Sequence, residues 1–153
     1  MAYPAQINVL KYSFTIRDLN EVKQFMNYLG KQYKFEINWE ANSNLFYICG
    51  AIRNELNNIQ AQVPFTYYLY GMNDQIMFDL IPFVINENRT GHGIVYIGIS
   101  DDIEQSKKEF DITESRHLSY LLENAGINPV NRFKWSVITV DEDYFDGLYG
   151  TEN

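Results

Sequence analysis

Histidines are the side chains best suited to acid–base chemistry near neutral pH, because the imidazole titrates in that range. The chain has two of them, His92 and His117. His92 stands between two glycines and three residues after Arg89, so an imidazole and a cation could act on one substrate there. A small enzyme that uses His92 with Arg89 is therefore one hypothesis. Neither histidine has the spacing of a metal site, so we expect no metal and no cofactor.

The single cysteine, Cys49, is a candidate nucleophile. It lies in the apolar run of residues 45–52, where a thiol is usually a small buried hydrophobic group with a raised pKa. One cysteine cannot form an internal disulfide bond, which fits a reducing compartment. The N-terminal residues lack the pattern of a signal peptide, and no apolar stretch is long enough to span a membrane. We therefore expect a cytoplasmic protein in which Cys49 is structural.

Carboxylates and aromatic side chains are interleaved near the C-terminus, in residues 141–149. Adjacent carboxylates can hold a calcium ion, but Gly147 comes one position too late for an EF-hand loop. Aromatic residues are enriched at the centres of protein interfaces, and acidic residues around them attract a basic partner. We therefore predict a partner-binding site in the acidic aromatic segment 141–153. Its predicted binding residues are Asp141, Glu142, Asp143, Tyr144, Asp146 and Tyr149.

An alternative interpretation is that the aromatic residues of this segment pack it onto the rest of the domain. The charge of the chain bears on the choice, because a formal net charge of −8 is distributed unevenly. Residues 1–60 contain six Lys/Arg and five Asp/Glu, whereas residues 61–153 contain six Lys/Arg and fifteen Asp/Glu. Such a surface repels phosphate backbones and anionic lipids. We expect no direct binding to nucleic acid or membrane, and a basic protein surface as partner.

A second group of aromatic residues falls on a predicted strand at 64–70, which contains Tyr67, Tyr68 and Tyr70. The next predicted strand, 76–85, contains Pro82, which predicts an edge strand or a bulge near the end of the strand. A tyrosine-rich face and an open edge would suit self-association. A structural or assembly subunit, of a phage particle or of a homo-oligomer, is therefore the alternative to a binding protein.

Hydrophobic periodicity predicts a single α+β domain over residues 1–153. Residues 7–17 alternate as a strand with one solvent-exposed face, and Asp18 is the predicted N-cap of a helix that ends at Gly30. Further predicted strands are 35–41, 45–52, 94–99 and 133–140, with a β-meander from 64 to 99. Residues 53–62 are predicted to form a short, weak helix or a loop. Two further predicted helices begin near the capping boxes of Asp101 and Asp111, and the second ends at Gly126. We expect an antiparallel or mixed sheet of about six to seven strands, with two to four helices mainly on one face. Residues 86–93 are expected to form a polar loop.

These features favour recognition over catalysis. The leading hypothesis is a non-enzymatic intracellular binding protein, an acidic inhibitor that occludes a basic surface of a partner such as a nuclease or nucleic-acid-binding protein. Immunity proteins against nuclease toxins, and phage anti-defence proteins, have a similar composition: small, acidic and rich in aromatic residues. That is an analogy of composition, and no family motif accompanies it.

Overall fold

The computed structural model describes residues 6–41, 44–86, 89–98, 100–141, 143–146 and 148–149. The fold is α+β, and within the described residues every strand pairing is antiparallel. The strands are β1 (Gln6–Ile16), β2 (Phe65–Met72), β3 (Gln75–Asn86), β4 (Arg89–His92), β5 (Ile94–Tyr96), β6 (Phe110–Asp111), β7 (Phe133–Asp141) and β8 (Leu148–Tyr149). The helices are α1 (Leu19–Tyr33), α2 (Leu45–Ile59), α3 (Ile103–Lys108), α4 (Arg116–Asn124) and α5 (Asp143–Asp146), with a 3₁₀ turn at Ile112–Ser115. The predicted fold class is confirmed.

Strand β1 is central to the sheet. Along one edge it pairs with β7 over nearly its whole length, from Gln6 opposite Asp141 to Phe14 opposite Phe133. Its other edge is shared, because β5 pairs with residues 9–11 and β3 pairs with residues 14–16. The two partners of this edge meet at Gly93, whose carbonyl accepts the Tyr12 amide at 2.6 Å.

Strand β3 changes partners along its length. Its first half lies between β1 and β2, and its second half pairs with β4 and β6. Pro82 lies at the change, where its carbonyl accepts the Gly93 amide at 2.9 Å. Of the two alternatives predicted from Pro82, the edge strand is therefore wrong, because β3 is paired on both sides. The predicted β-meander is also wrong, because β5 pairs with β1, and residues 89–92 of the predicted loop are strand β4.

The hydrophobic core lies on the face of the sheet that α1, α2 and α4 cover. Apolar residues recur every three to four positions along α1, so one stripe of the helix packs on the sheet. The largest fully buried side chains are Phe14, Phe25, Phe65 and Phe78. Leu118 and Leu122 of α4 join the same cluster, as their helical spacing predicts.

Helix α1 begins where the sequence predicts and ends one turn later. The Asp18 carboxylate caps it by accepting the Asn20 amide at 2.8 Å. Gly30 does not stop the helix; the chain instead turns at Lys34, which has a φ of +64°. A Cβ at Gly30 would overlap the carbonyl oxygen of Phe35, so glycine is needed for a close backbone approach. The second predicted stop is confirmed, because Gly126 has a φ of +82° just beyond α4.

Two predicted strands are wrong. Residues 45–52 form the first half of α2, and residues 35–41 lie in a loop and turn. In α2 the buried positions, Ile48, Cys49, Ile52, Leu56 and Ile59, follow helical spacing. The paired strands β2 and β3 are confirmed, and Asn73 and Asp74 join them with positive φ angles of 54° and 62°. Such angles at both central residues belong to a two-residue type I′ hairpin.

Candidate functional site

The C-terminal segment crosses the face of the sheet opposite α1 and α2. Strand β7 pairs with one edge of β1. Strand β8 pairs with Tyr67 and Tyr68 of β2, which lies on the other side of β1, beyond β3. Helix α5, which we call the crossing, therefore lies over β1, β3 and β2. This path explains why Lys11 is buried although the alternation of β1 predicts a solvent-exposed face, and Ser13 on the same face is buried as well. The prediction of one exposed face on β1 is wrong for these two residues.

Tyr144 is the half-buried side chain that holds the crossing against the sheet. Its ring lies against the Tyr68 ring, with centroids 4.5 Å apart and planes at 30°. The Lys11 ammonium donates to the Tyr144 hydroxyl at 3.5 Å and lies 5.9 Å from the ring centroid. Burial raises the pKa of Tyr144, and the nearby charge of Asp79 raises it further. The phenol therefore stays neutral and can accept from Lys11.

Beneath Tyr144 lies a buried ion pair that the sequence does not reveal. The Lys11 Nζ donates to one carboxylate oxygen of Asp79 at 2.7 Å, and the Thr15 hydroxyl donates to the other at 2.5 Å. The exposed fraction is 6% for Lys11 and zero for Asp79. The two residues are 68 positions apart, and the antiparallel pairing of Thr15 with Asp79 brings them together.

Carboxylates from two distant parts of the chain converge at one end of the sheet. Strands β5 and β7 both run antiparallel to β1, so both end beside the start of β1, about two strand spacings (roughly 10 Å) apart. After β5, the Ile97 amide donates to the Asn8 carbonyl at 3.0 Å, and Asp101 accepts the Gly98 amide at 2.6 Å. We call this surface the acidic end. Its exposed carboxylates are Asp101, Asp102, Glu104, Asp141 and Asp143.

The six residues predicted to bind a partner have different positions. Asp141 and Asp143 are exposed at the acidic end, and Tyr144 is half-buried against its own sheet. The position of Tyr144 favours the alternative interpretation, in which an aromatic residue anchors the segment. Glu142 lies outside the described residues. Asp146 and Tyr149 are described by their backbones alone, in α5 and β8.

The sequence misses the part of the acidic end that follows β5. Asp102, with its neighbour Asp101, reads as helix-capping charge, and Asp102 does cap α3 by accepting the Gln105 amide at 3.2 Å. The pairing of β5 with β1 is the missing information, because it places these carboxylates at the same end of the sheet as those of β7. No local signal in the sequence specifies that pairing.

His92 lies in an apolar environment on strand β4. Its ring stacks on Phe83, the residue opposite, with centroids 4.6 Å apart and planes at 27°. Burial lowers the pKa of His92 from 6.5 to about 4, so the imidazole is neutral at pH 7. A neutral, stacked imidazole has no proton to donate as an imidazolium at that pH. Arg89 is described by its backbone alone, so its side chain adds nothing to the enzyme hypothesis.

Cys49 is 1% exposed on the core side of α2. Burial raises the pKa of its thiol, which makes the nucleophilic thiolate scarce. A Cβ at Gly71 would lie 2.7 Å from the Cys49 sulfur, so the thiol packs directly against β2. The prediction of a buried structural cysteine is confirmed. Among the described residues, no group of three or more His, Cys, Asp or Glu side chains could hold a metal ion.

Comparison of the chain with protein-family models, with curated proteins and with solved structures gives no match. In the part of the chain that the structure describes, none of the helices combines the length and the apolar character needed to cross a membrane.

Proposed function

We propose that this protein is a non-enzymatic intracellular inhibitor whose acidic end docks on a basic surface of a partner protein. The observation that carries the proposal is the convergence of the β5 and β7 ends, which gathers five exposed carboxylates from residues 101–104 and 141–143. The partner class is a nuclease or another nucleic-acid-binding protein, because such proteins carry clefts that bind phosphate. Immunity and anti-defence proteins are the functional classes that this mechanism fits.

The anchoring of the C-terminal segment supports this mechanism. Tyr144 packs on Tyr68 and Lys11, which restrains the neighbouring Asp143, and Asp141 is held at the end of β7 by its pairing with Gln6 of β1. A preorganised array of charges loses little conformational entropy on binding. Its field also accelerates encounter with a basic surface, an effect that salt screens.

An exposed aromatic residue lies on the strand that precedes three of the carboxylates. Tyr96, the last residue of β5, is 64% exposed and lies opposite Val9 near the start of β1. Tyrosine is among the residues that dominate the binding energy of protein interfaces. We therefore propose that the carboxylates at both strand ends supply the charge of the acidic end, and that Tyr96 supplies its central contact. Tyr144 acts as the residue that positions the segment.

Charge reversal tests the proposal. Proteins captured from the native host by the wild type would be identified by mass spectrometry, and the affinity of each purified partner measured at low and high salt. We expect Asp141→Lys with Asp143→Lys to weaken binding at least about tenfold, as expected for loss of charge pairs. Glu104→Lys probes the β5 side of the same surface.

The matched control reverses two exposed carboxylates elsewhere, Glu36→Lys with Glu40→Lys, and should leave affinity within about twofold. A tight partner that is indifferent to salt and to reversal on both strand ends would refute the electrostatic mechanism. An equal loss from the control pair would also refute it, because net charge alone would then explain binding.

The assembly alternative rests on features that the structure places largely inside the molecule. Strand β3 is central around residues 78–80, and Tyr67 is 2% exposed on the core face. Tyr68 packs on Tyr144, which leaves Tyr70 as the exposed tyrosine of β2. Self-association stays a prediction. Size-exclusion chromatography with light scattering tests it, and a strict monomer would exclude it.

A further inference from the structure

A polar groove runs along the outer face of α1, beside the end of α4, with a volume of about 510 Å³. That volume lies within the range of small-molecule sites. Its residues on α1 recur every three to four positions and so form one stripe of the helix, opposite the buried stripe. The lining residues are Asn20, Lys23, Gln24, Asn27, Tyr28, Lys31, Asn124 and Ala125.

The chemistry of this lining is unusual for the chain. The sequence has 20 Asp/Glu against 12 Lys/Arg, yet the described lining includes two lysines and no carboxylate. Lys23 and Lys31 are eight residues apart on one helix, which separates their Cα atoms by about 12 Å along its axis. Between them, Asn27 contributes an amide. The groove therefore presents two cationic positions with a neutral polar position between them.

Several contacts fix the walls of the groove. The Trp39 indole N–H donates to the Asn27 Oδ1 at 3.0 Å, which leaves the Asn27 amide nitrogen as the group that can donate to a ligand. The Lys23 ammonium lies 5.8 Å from the Trp39 ring centroid, so the same residue restrains the cation. The Gln24 amide nitrogen donates to the Ala125 carbonyl at 2.8 Å and joins α1 to the end of α4. That bond satisfies the Ala125 carbonyl, which lies at the C-terminal end of α4. This carbonyl is therefore not an unpaired acceptor that would repel an anion in the groove.

We propose that this groove binds a small hydrophilic molecule with two anionic groups, such as a sugar bisphosphate, held between Lys23 and Lys31. Lysine ammonium groups bind phosphate oxygens through charge-assisted hydrogen bonds. The Asn27 amide between them donates to a hydroxyl or phosphate oxygen of the ligand. This site is separate from the acidic end and does not depend on the function proposed for it.

Titration of the isotope-labelled 153-residue chain with fructose 1,6-bisphosphate, followed by NMR, tests the site. We expect saturable shifts at the amide signals of residues 20–31 and 124–125. Fructose, which lacks the anionic groups, should give no saturable shift. Inorganic phosphate should bind more weakly, because it reaches one lysine at a time.

Variants of exposed side chains test the residues without disturbing the core. Lys23→Gln and Lys31→Gln should each weaken bisphosphate binding about tenfold, as expected for loss of a charge-assisted hydrogen bond. Lys108→Gln, which removes the same charge from α3 outside the groove, should leave affinity unchanged. The proposal is overturned if the bisphosphate causes no saturable shift at these residues. It is overturned equally if fructose or phosphate binds as tightly as the bisphosphate, or if Lys108→Gln weakens binding as much as the groove variants.

Discussion

At the scale of single residues, the buried contact between Lys11 and Asp79 has the largest consequence for stability. Removing two charges from water costs several kcal/mol per ion, and a short ion pair with further hydrogen bonds recovers much of that cost. Here Thr15 supplies the additional donor to Asp79, and Tyr144 covers the ammonium. The pair therefore depends on the crossing segment, which keeps water away from it.

Asp79→Asn should destabilise the fold by about 3–5 kcal/mol, because it leaves the Lys11 ammonium buried without a counter-charge. Replacing both residues by apolar ones, Lys11→Met with Asp79→Leu, should cost less than the single change. Urea unfolding followed by circular dichroism measures both. Glu104→Gln is the control, since its ion pair with Lys107 is exposed and should contribute less than about 1 kcal/mol. Wild-type stability in Asp79→Asn would contradict the assignment of a buried charge pair.

His92 should make the fold sensitive to mild acid. Its folded-state pKa of about 4 lies below the ordinary value of 6.5, so the unfolded chain binds the proton first as pH falls. The stabilisation is complete above pH 6.5 and is lost as pH falls towards 4, by up to about 3 kcal/mol. His92→Phe keeps a ring against Phe83 without the titration, so urea unfolding should show a shallower loss between these pH values. Equal slopes for the wild type and His92→Phe would refute the prediction.

At the scale of elements, the wrong predictions have a common physical cause. Residues 45–52 are apolar and aromatic, a composition that suits a buried strand as well as a helix. The discriminating fact is that Phe46 and Tyr47 are 73% and 59% exposed, which the composition does not reveal. Helix α1 is predicted correctly at its start because Asp18 and the apolar spacing are local signals. Its end is not, because Lys34 adopts the left-handed turn that glycine usually takes.

The features of the candidate site are also of two kinds: local ones, which the sequence reveals, and long-range ones, which it does not. The acidic and aromatic character of residues 141–149 is visible in the sequence. Two other features are not visible in it: the position of Asp101 at the same end of the sheet as the end of β7, and the ion pair of Lys11 with Asp79. Both follow from strand pairings between distant residues. One local pattern is misleading. The alternation in β1 predicts an exposed Lys11, but the crossing segment buries it.

Two glycines in helices should respond oppositely to the same substitution. Gly50 lies in α2, and a Cβ there would meet no atom within 4 Å, so Gly50→Ala should stabilise the fold by about 0.5–1 kcal/mol. Gly30→Ala should destabilise it, because the new Cβ would overlap the Phe35 carbonyl oxygen. Thermal and urea unfolding measure both changes. Stabilisation by Gly30→Ala would show that the loop after α1 can move away from the helix.

At the scale of the whole molecule, the two proposed sites occupy different parts of the surface. The acidic end surrounds the start of β1, whereas α1 and its lysine-lined groove begin three residues after β1 ends. The net charge of −8 therefore does not describe one uniform surface. A basic partner would be attracted to one end and a small anion to a groove that begins near the other, so the two proposed sites need not compete.

Burial of tyrosines across the molecule should limit its stability in alkali. Burial raises the pKa of Tyr12, Tyr68 and Tyr144 above the ordinary 10.0, so these phenols keep their protons in the fold after the unfolded chain has lost them. A raised folded-state pKa gives stability that is present below pH 10 and lost as pH rises beyond it. Urea unfolding at about pH 8 and about pH 10.5 should show this loss, and Tyr144→Phe should reduce it. Tyr120→Phe, at a residue 58% exposed, should lose as much stability as the wild type. If Tyr144→Phe and Tyr120→Phe lose equal amounts, the buried phenol under the C-terminal crossing is not what makes the fold sensitive to alkali.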